Sequence, residues 1–170
     1  MKYRIILTAM AALMSASAMC ADGVNVSVTG NIVASPCLFN GGSSAVNVDL
    51  GDIQAANLAT PGSTSAPVLF SLSFSQCPVG TRSVTVAFTG TPDPAAGNDY
   101  YANGGTARNV AIAMIDAASG ERKGTGSAVS HSVSADRTVM MPMKAMVSSA
   151  AGGATAGSIS AVVMLTLQYN

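Results

Sequence analysis

The sequence has no tryptophan, only four phenylalanines and four tyrosines, a single histidine and three cysteines in 170 residues. Charged side chains make up 9% of the chain and aromatic ones 5%, whereas hydrophobic residues reach 49%. A core is possible with this composition only if Val, Ala, Leu and Met fill it. The formal net charge is zero and there is no basic run, which excludes nucleic acid as a partner, because phosphate neutralisation supplies most of that affinity. Sustained binding to anionic lipid heads is excluded on the same ground. No segment reaches the roughly 18 continuous apolar residues of a membrane-spanning helix. With His131 alone and two distant cysteines there is no zinc set, and no cofactor is expected. The length suits one all-β domain plus a leader and leaves no room for a second domain.

The leader is legible at once. Lys2 and Arg4 form a basic start, an apolar run extends from Ile5 to Met14, and small residues continue to Ala21. That order is a secretory signal peptide, residues 1–21, for export to an oxidising compartment. Cleavage after Ala18 fits the small-residue rule through Ala16 and Ala18, and cleavage after Ala21 fits it less well because of Met19; the second is favoured because it removes Cys20 and leaves an even pair, Cys37 and Cys77. These two are expected to form a disulfide closing a loop of forty residues, a constraint worth about 4 kcal/mol on the loop-entropy model. Without Lys2 and Arg4 the chain keeps six basic and eight acidic side chains, a net of minus two.

Alternation of apolar and small or polar residues recurs along the rest. Val46, Val48 and Leu50; Val68 to Phe74; Val84, Val86 and Phe88; and Val110, Ile112 and Met114 each carry the period of a half-buried strand. Val139, Met141, Met143, Ala145 and Val147 continue it, although Pro142 demotes that strand to an edge or a bulge. Residues 41–44, 60–62, 90–94 and 103–105 are rich in Gly, Pro, Ser and Asn and read as turns. There is no internal repeat. Short strands at this spacing, without helical periodicity, predict a β-sandwich.

Both termini carry more alternation than a sandwich strand requires. In the arm at 22–34, Val24, Val26, Val28, Gly30 and Ile32 share one face. It is either the first strand of the chain's own sandwich or a strand meant for another; glycine in phase with the apolar positions favours a site where a second backbone or a bulky neighbour approaches closely. At the other end Ile159, Ala161, Val163, Leu165, Leu167 and Tyr169 lie in one phase, with Asn170 following. Such a last strand leaves its backbone available for pairing.

With this arm, with Cys37 just after Pro36, with Cys77 forty residues on, with Tyr169 penultimate and Gly157 fourteenth from the end, the sequence resembles the pilins of chaperone-usher fimbriae. Residues 77–81, 100–106 and 152–157 resemble in particular the minor tip-adaptor subunits of type 1 fimbriae. The resemblance covers residues 22–170 and implies an incomplete immunoglobulin-like sandwich, residues 35–170, lacking its last strand. A donor strand from a periplasmic pilus chaperone, and afterwards the arm of a neighbouring pilin subunit delivered at the outer-membrane usher, would complete it by strand addition. It implies that Val24, Val26, Val28, Gly30 and Ile32 form the donor face. Val163, Leu165, Leu167 and Tyr169 would then face the chaperone's strand, and the carboxylate of Asn170 would be held by its basic residues.

Catalytic constellations are absent. A Ser/His/Asp set can be written with His131 and Asp136, but no nucleophile elbow accompanies it, and His131 reads as a surface loop residue. No Gly-rich stretch has the Lys-Ser/Thr of a P-loop. Asp93, Asn98 and Asp99 do not match the spacing of a calcium loop and read as a solvated turn. The sequon at Asn25 falls in the arm and carries no weight, and Tyr100 with Tyr101 offers at most a small sugar-stacking surface. The expected role is therefore a non-enzymatic tip adaptor between a tip adhesin and the rest of a cell-surface fimbria. The alternatives are a rod pilin of the same system and a self-contained secreted carbohydrate-binding sandwich.

Overall fold

The computed structural model describes residues 26–31 and 36–170. The leader, both candidate cleavage sites, Cys20, Val24 and Ile32 lie outside the described residues. The chain divides into two compact units, Met1–Ile32 and Val33–Asn170. In the first, residues 26–31 carry no secondary structure, and Val26 and Val28 are exposed. The second holds all the strands described below.

These are β1 (Leu38–Phe39), β2 (Ser63–Thr64), β3 (Val68–Ser75), β4 (Ser83–Gly90), β5 (Pro92–Asp93), β6 (Gly97–Ala102), β7 (Ala111–Asp116), β8 (Ala128–Ser132), β9 (Val139–Ser149) and β10 (Val163–Tyr169). One sheet has the order β1-β3-β9-β7-β6-β5, with β2 also on β9, and the other has the order β10-β4-β8. All pairs are antiparallel. The fold is thus all-β, an immunoglobulin-like sandwich. Its core forms where Leu72, Phe74, Val139, Met141 and Met143 of the first sheet meet Val84, Val86, Phe88 and Val129 of the second. Period-two patterning produces this directly: in β4 the inward residues Val84, Val86 and Phe88 are fully buried, while the residues between them are not. Methionine fills the space that aromatic rings leave to it.

Four expectations need correction. Pro142 lies in β9, which is flanked by β3 and β7, so the strand is central. The ring is tolerated there because it falls where the β7–β9 ladder runs out: Ala117, in the turn after Asp116, still donates its N–H to the Pro142 carbonyl at 2.9 Å, and only the reciprocal bond, at the end of the ladder, is missing. Val110 to Met114 is buried on both faces, since the intervening Ala111 and Ala113 are short enough to sit below longer neighbours such as Met146, which pairs with Ala113. The turn-rich stretch 90–94 contains β5, which folds back on β6 as a hairpin. Finally, the segment with Val46, Val48 and Leu50 forms no strand. It keeps its alternation, with these three side chains half-buried and Asn47 and Asp49 exposed, but pairs with nothing among the described residues.

Cys37 and Cys77 are bonded, with their Cα atoms 4.2 Å apart. The bridge lies at the end of the β1–β3 pair, where Leu38 is opposite Ser75, and both sulfurs belong to the core.

Candidate functional site

The site is built on β10. Its β-branched and leucine residues alternate with polar ones, so Val163, Leu165, Leu167 and Tyr169 turn inward while Met164, Thr166 and Gln168 turn out. The register on β4 is regular from Val163 opposite Gly90 to Tyr169 opposite Val84. On its other side β10 has no neighbour among the described residues. The consequence appears in the burial. The inward residues of β4 are fully buried, whereas the four inward residues of β10 are only half-buried although they pack on the same core. A row of backbone donors and acceptors stands open above a partly uncovered apolar core, the condition that strand addition satisfies.

The far wall is the unpaired segment 46–50. Val46 packs on the same main core as Val163, Leu165, Leu167 and Tyr169. Val48 and Leu50 pack with Val163 and Ile159 on the cluster of Tyr101, Ile112, Met114 and Ala145. Two extended segments thus lean on one core without a backbone hydrogen bond between them. The edge of β10 and the segment 46–50 thus flank the same partly covered core, the two walls of a candidate groove. Beside it a cavity of about 370 Å³ opens among Ile53, Leu58, Ala107, Val110, Ala154 and Ile159.

Both ends of the last segment are fastened. At its start, residues 157–160 leave the strand and dock on the 103–107 turn: Ser158 donates its N–H to Thr106 Oγ1 (2.8 Å), Ala107 donates to the Ser158 carbonyl (3.1 Å), and Gly104 donates to the Ser160 carbonyl (2.7 Å). Glycine is required on both sides of this contact. A Cβ at Gly157 would strike the Ala107 nitrogen, and one at Gly105 would strike the Ser158 carbonyl. Ala161, expected to share the inward face, is exposed, because pairing with β4 begins only at Val163. At the other end Asn170 exchanges hydrogen bonds with Ser83 (3.0 Å each way), and its carbonyl oxygen also accepts the Arg82 N–H at 2.5 Å. The terminal residue is therefore already held within the chain by two backbone donors. Burial raises the pKa of the Tyr169 phenol.

Of the expected donor face, Val26, Val28 and Gly30 are described, and no atom lies within 4 Å of where a Gly30 Cβ would be. The other candidates disperse. His131 lies in β8, opposite Val84, and is half-buried, so it is a strand residue and not a loop residue; the phase it shares with Val129 is hidden in the sequence by its polar neighbours Ser130 and Ser132. Asp136 lies in the turn that follows, 3.5 Å from Thr138 Oγ1. Asp93 accepts the N–H groups of Ala95 and Ala96, while Asn98 and Asp99 are in β6 and not in a turn. No metal-holding cluster of His, Cys, Asp or Glu occurs among the described residues. Tyr101 is buried, donates to the Lys123 carbonyl at 2.8 Å, and has its pKa pushed up to about 12 by burial, so it cannot stack on a sugar; Tyr100 is covered by the Arg122 guanidinium at 5.0 Å. Asp116 is buried, which opposes its ionisation, but donation from Ser119 and from the Ala118 N–H, aided by the positive fields of His131 and Lys123, holds its pKa below the ordinary value. These are internal supports of the sandwich.

Comparison with known proteins bears on the whole chain. A family model described as "Fimbrial protein" matches residues 26–170. The Escherichia coli (strain K12) protein FimG is 36% identical over 170 residues, spanning 99% of this chain and 98% of its own, and the type-1 fimbrial protein A chain of the same strain is 30% identical, spanning 96% and 91%. Among solved structures, the P pilus rod subunit PapA matches with a TM-score of 0.66 and 26% identity, covering 80% of this chain and all of its own.

Proposed function

Because this chain belongs to the fimbrial protein family, the structural pilins of chaperone-usher fimbriae, we propose that it is a minor, adaptor-type subunit that joins its neighbours by donor-strand exchange near the fimbrial tip. Membership makes it a fimbrial subunit rather than an enzyme, whose partners are a periplasmic chaperone, an usher and other pilins and whose destination is a surface fimbria reached through the periplasm. The observation that carries the finer reading is the half-buried, unpaired β10. A donor strand laid between β10 and residues 46–50 supplies the missing ladder and covers Val163, Leu165, Leu167 and Tyr169. Gly157, with its contact to the 103–107 turn, fixes where that strand begins, and Asn170 fixes where it ends. The arm's Val24, Val26, Val28 and Ile32, with Gly30 in phase, are the matching donor for the next groove. Burying four aliphatic side chains at about 1.5–3 kcal/mol each gives a gross of roughly 6–12 kcal/mol, less the cost of ordering the arm. An adaptor is favoured over a rod pilin by the higher identity to FimG than to the type-1 A chain and by the tip-adaptor resemblance at 77–81, 100–106 and 152–157. The likeness to the rod subunit PapA is the observation that favours a rod pilin, and copy number per fibre separates the two: few for an adaptor, many for a rod.

Gly30 tests the donor role. Because no atom lies within 4 Å of where a Gly30 Cβ would be, Gly30→Leu should leave folding and chaperone binding intact and reduce incorporation into fibres at least tenfold, read by the ratio of periplasmic complex to surface fibre. Unchanged incorporation would contradict the register in which Gly30 faces the groove.

A further inference from the structure

The groove has an asymmetric rim. On the wall of residues 46–53, Asp49 and Asp52 are both exposed; Asp49 accepts the Gly51 N–H at 2.9 Å, and this orders its carboxylate at the edge. On the opposite wall, the outward residues Ser158, Ser160, Val162, Met164, Thr166 and Gln168 carry no charge at all. The ion pair between Lys123 and Glu121 is the one found among the described residues, so neither Asp49 nor Asp52 is neutralised there. In a chain with so few charges, two carboxylates on one rim stand out against an otherwise neutral strip. A strand laid in the groove turns its apolar side chains down and presents the alternate ones beside this rim. A cation among those alternate residues would form the favourable cross-strand pair, and an anion would be repelled.

The chain's own arm offers no such cation. Its alternate residues are Asn25, Ser27, Thr29 and Asn31, and the one ionisable side chain in 22–34 is Asp22. Resting on the donor-strand reading above, we propose that the groove selects an arm carrying lysine or arginine at an outward position facing Asp49 and Asp52, so that its preferred occupant is the arm of a different subunit and not a second copy of this chain. The apolar face supplies generic affinity, and the rim supplies the choice of partner. A subunit that disfavours its own arm enters a fibre singly, as an adaptor must.

The test uses the full chain in complex with its periplasmic chaperone, and N-acetylated peptides of residues 22–34 that displace the chaperone. The peptides are the native sequence and four variants, Asn25→Lys, Ser27→Lys, Thr29→Lys and Asn31→Lys. At low ionic strength one or two of the lysine peptides should displace the chaperone about two- to fivefold better than the native arm, and the gain should vanish near 1 M salt, where charges are screened within about 3 Å. It should vanish also in the D49N/D52N protein, in which the side-chain amide oxygen at position 49 can still accept the Gly51 N–H. Equal displacement by all five peptides, or a gain that survives D49N/D52N, would overturn the charge selection while leaving the groove in place. Failure of every peptide to displace the chaperone would overturn the groove and this inference with it.

Discussion

Deleting residues 22–34 should leave a subunit that accumulates with its chaperone in the periplasm but is found in fibres only at a terminus, never between two other subunits. The two halves of the linkage lie in different parts of the chain. The groove is formed entirely within Val33–Asn170, by β10 on one side and residues 46–50 on the other, with both ends of the β10 segment anchored at Thr106 and Ser83. Removing the arm touches none of these contacts, so the chaperone still finds its seat. The deletion removes the five-residue face of Val24, Val26, Val28, Gly30 and Ile32, and with it the roughly 6–12 kcal/mol of gross burial on which a non-covalent link depends. The loss should be complete rather than graded. Immunogold labelling of the deleted subunit along isolated fibres checks it, and label flanked by other subunits on both sides would contradict the donor role.

Loss of the disulfide should be the largest effect of any change outside the groove. Cys37 and Cys77 are both buried, 4% and 0% exposed, and join the start of β1 to the end of β3. Their loop of 40 residues corresponds to about 4 kcal/mol of lost chain entropy in the unfolded state. A sandwich that leaves four core side chains half-covered has little reserve against such a loss. The suitable variant is Cys37→Ala with Cys77→Ala, because serine would bury hydroxyls without partners. In the chaperone-bound state the expected result is at least a tenfold fall in periplasmic yield. In a domain completed by a grafted strand, it is a fall in unfolding midpoint of about 10 °C, at roughly 2–4 °C per kcal/mol for a domain of this size. An unchanged midpoint would mean that the bridge constrains nothing the core does not already hold.

How much of this is legible in the sequence depends on how far each residue's role is local. β3, β4, β9 and β10 carry their apolar residues on every second position, and that pattern survives translation into structure intact. β6 and β8 do not: β6 begins with Gly, Asn and Asp, and in β8 the apolar Val129 is followed by Ser130, His131 and Ser132, so each is anchored by one or two inward side chains such as Tyr101 or Val129 and is held by its neighbours. Pro142 misleads because the rule against proline in a central strand assumes a partner at every position, and only the tertiary register reveals that β7 stops beside it. Residues 46–50 teach the converse. Their alternation is plain in the sequence, but pairing needs a second backbone, and β10 is not that backbone. The contact of Gly105 with Ser158 and of Gly157 with Ala107 joins segments some fifty residues apart, so no local pattern announces it; Gly157 stands out only through the family resemblance, and Gly105 reads as a plain turn residue. The acidic rim is visible in Asp49 and Asp52 alone, but its meaning requires knowing which wall of the groove they line.

The proposal is that this sandwich is one strand short and that a strand from outside completes it. The most direct measurement of that claim is the thermal unfolding midpoint of residues 35–170 with a donor strand grafted through a short turn after Asn170, set against the same domain without the graft, testing this chain's own arm and the arms of other subunits. Asn170 would keep its hydrogen bonds to Ser83, since the graft leaves its N–H and carbonyl in place. A fitting graft should raise the midpoint by at least about 10 °C, a few kcal/mol of net stabilisation left from the gross burial. No rise with any donor, together with a monomer that is stable without one, would mean that the domain is complete as it stands and that β10 is an ordinary edge strand.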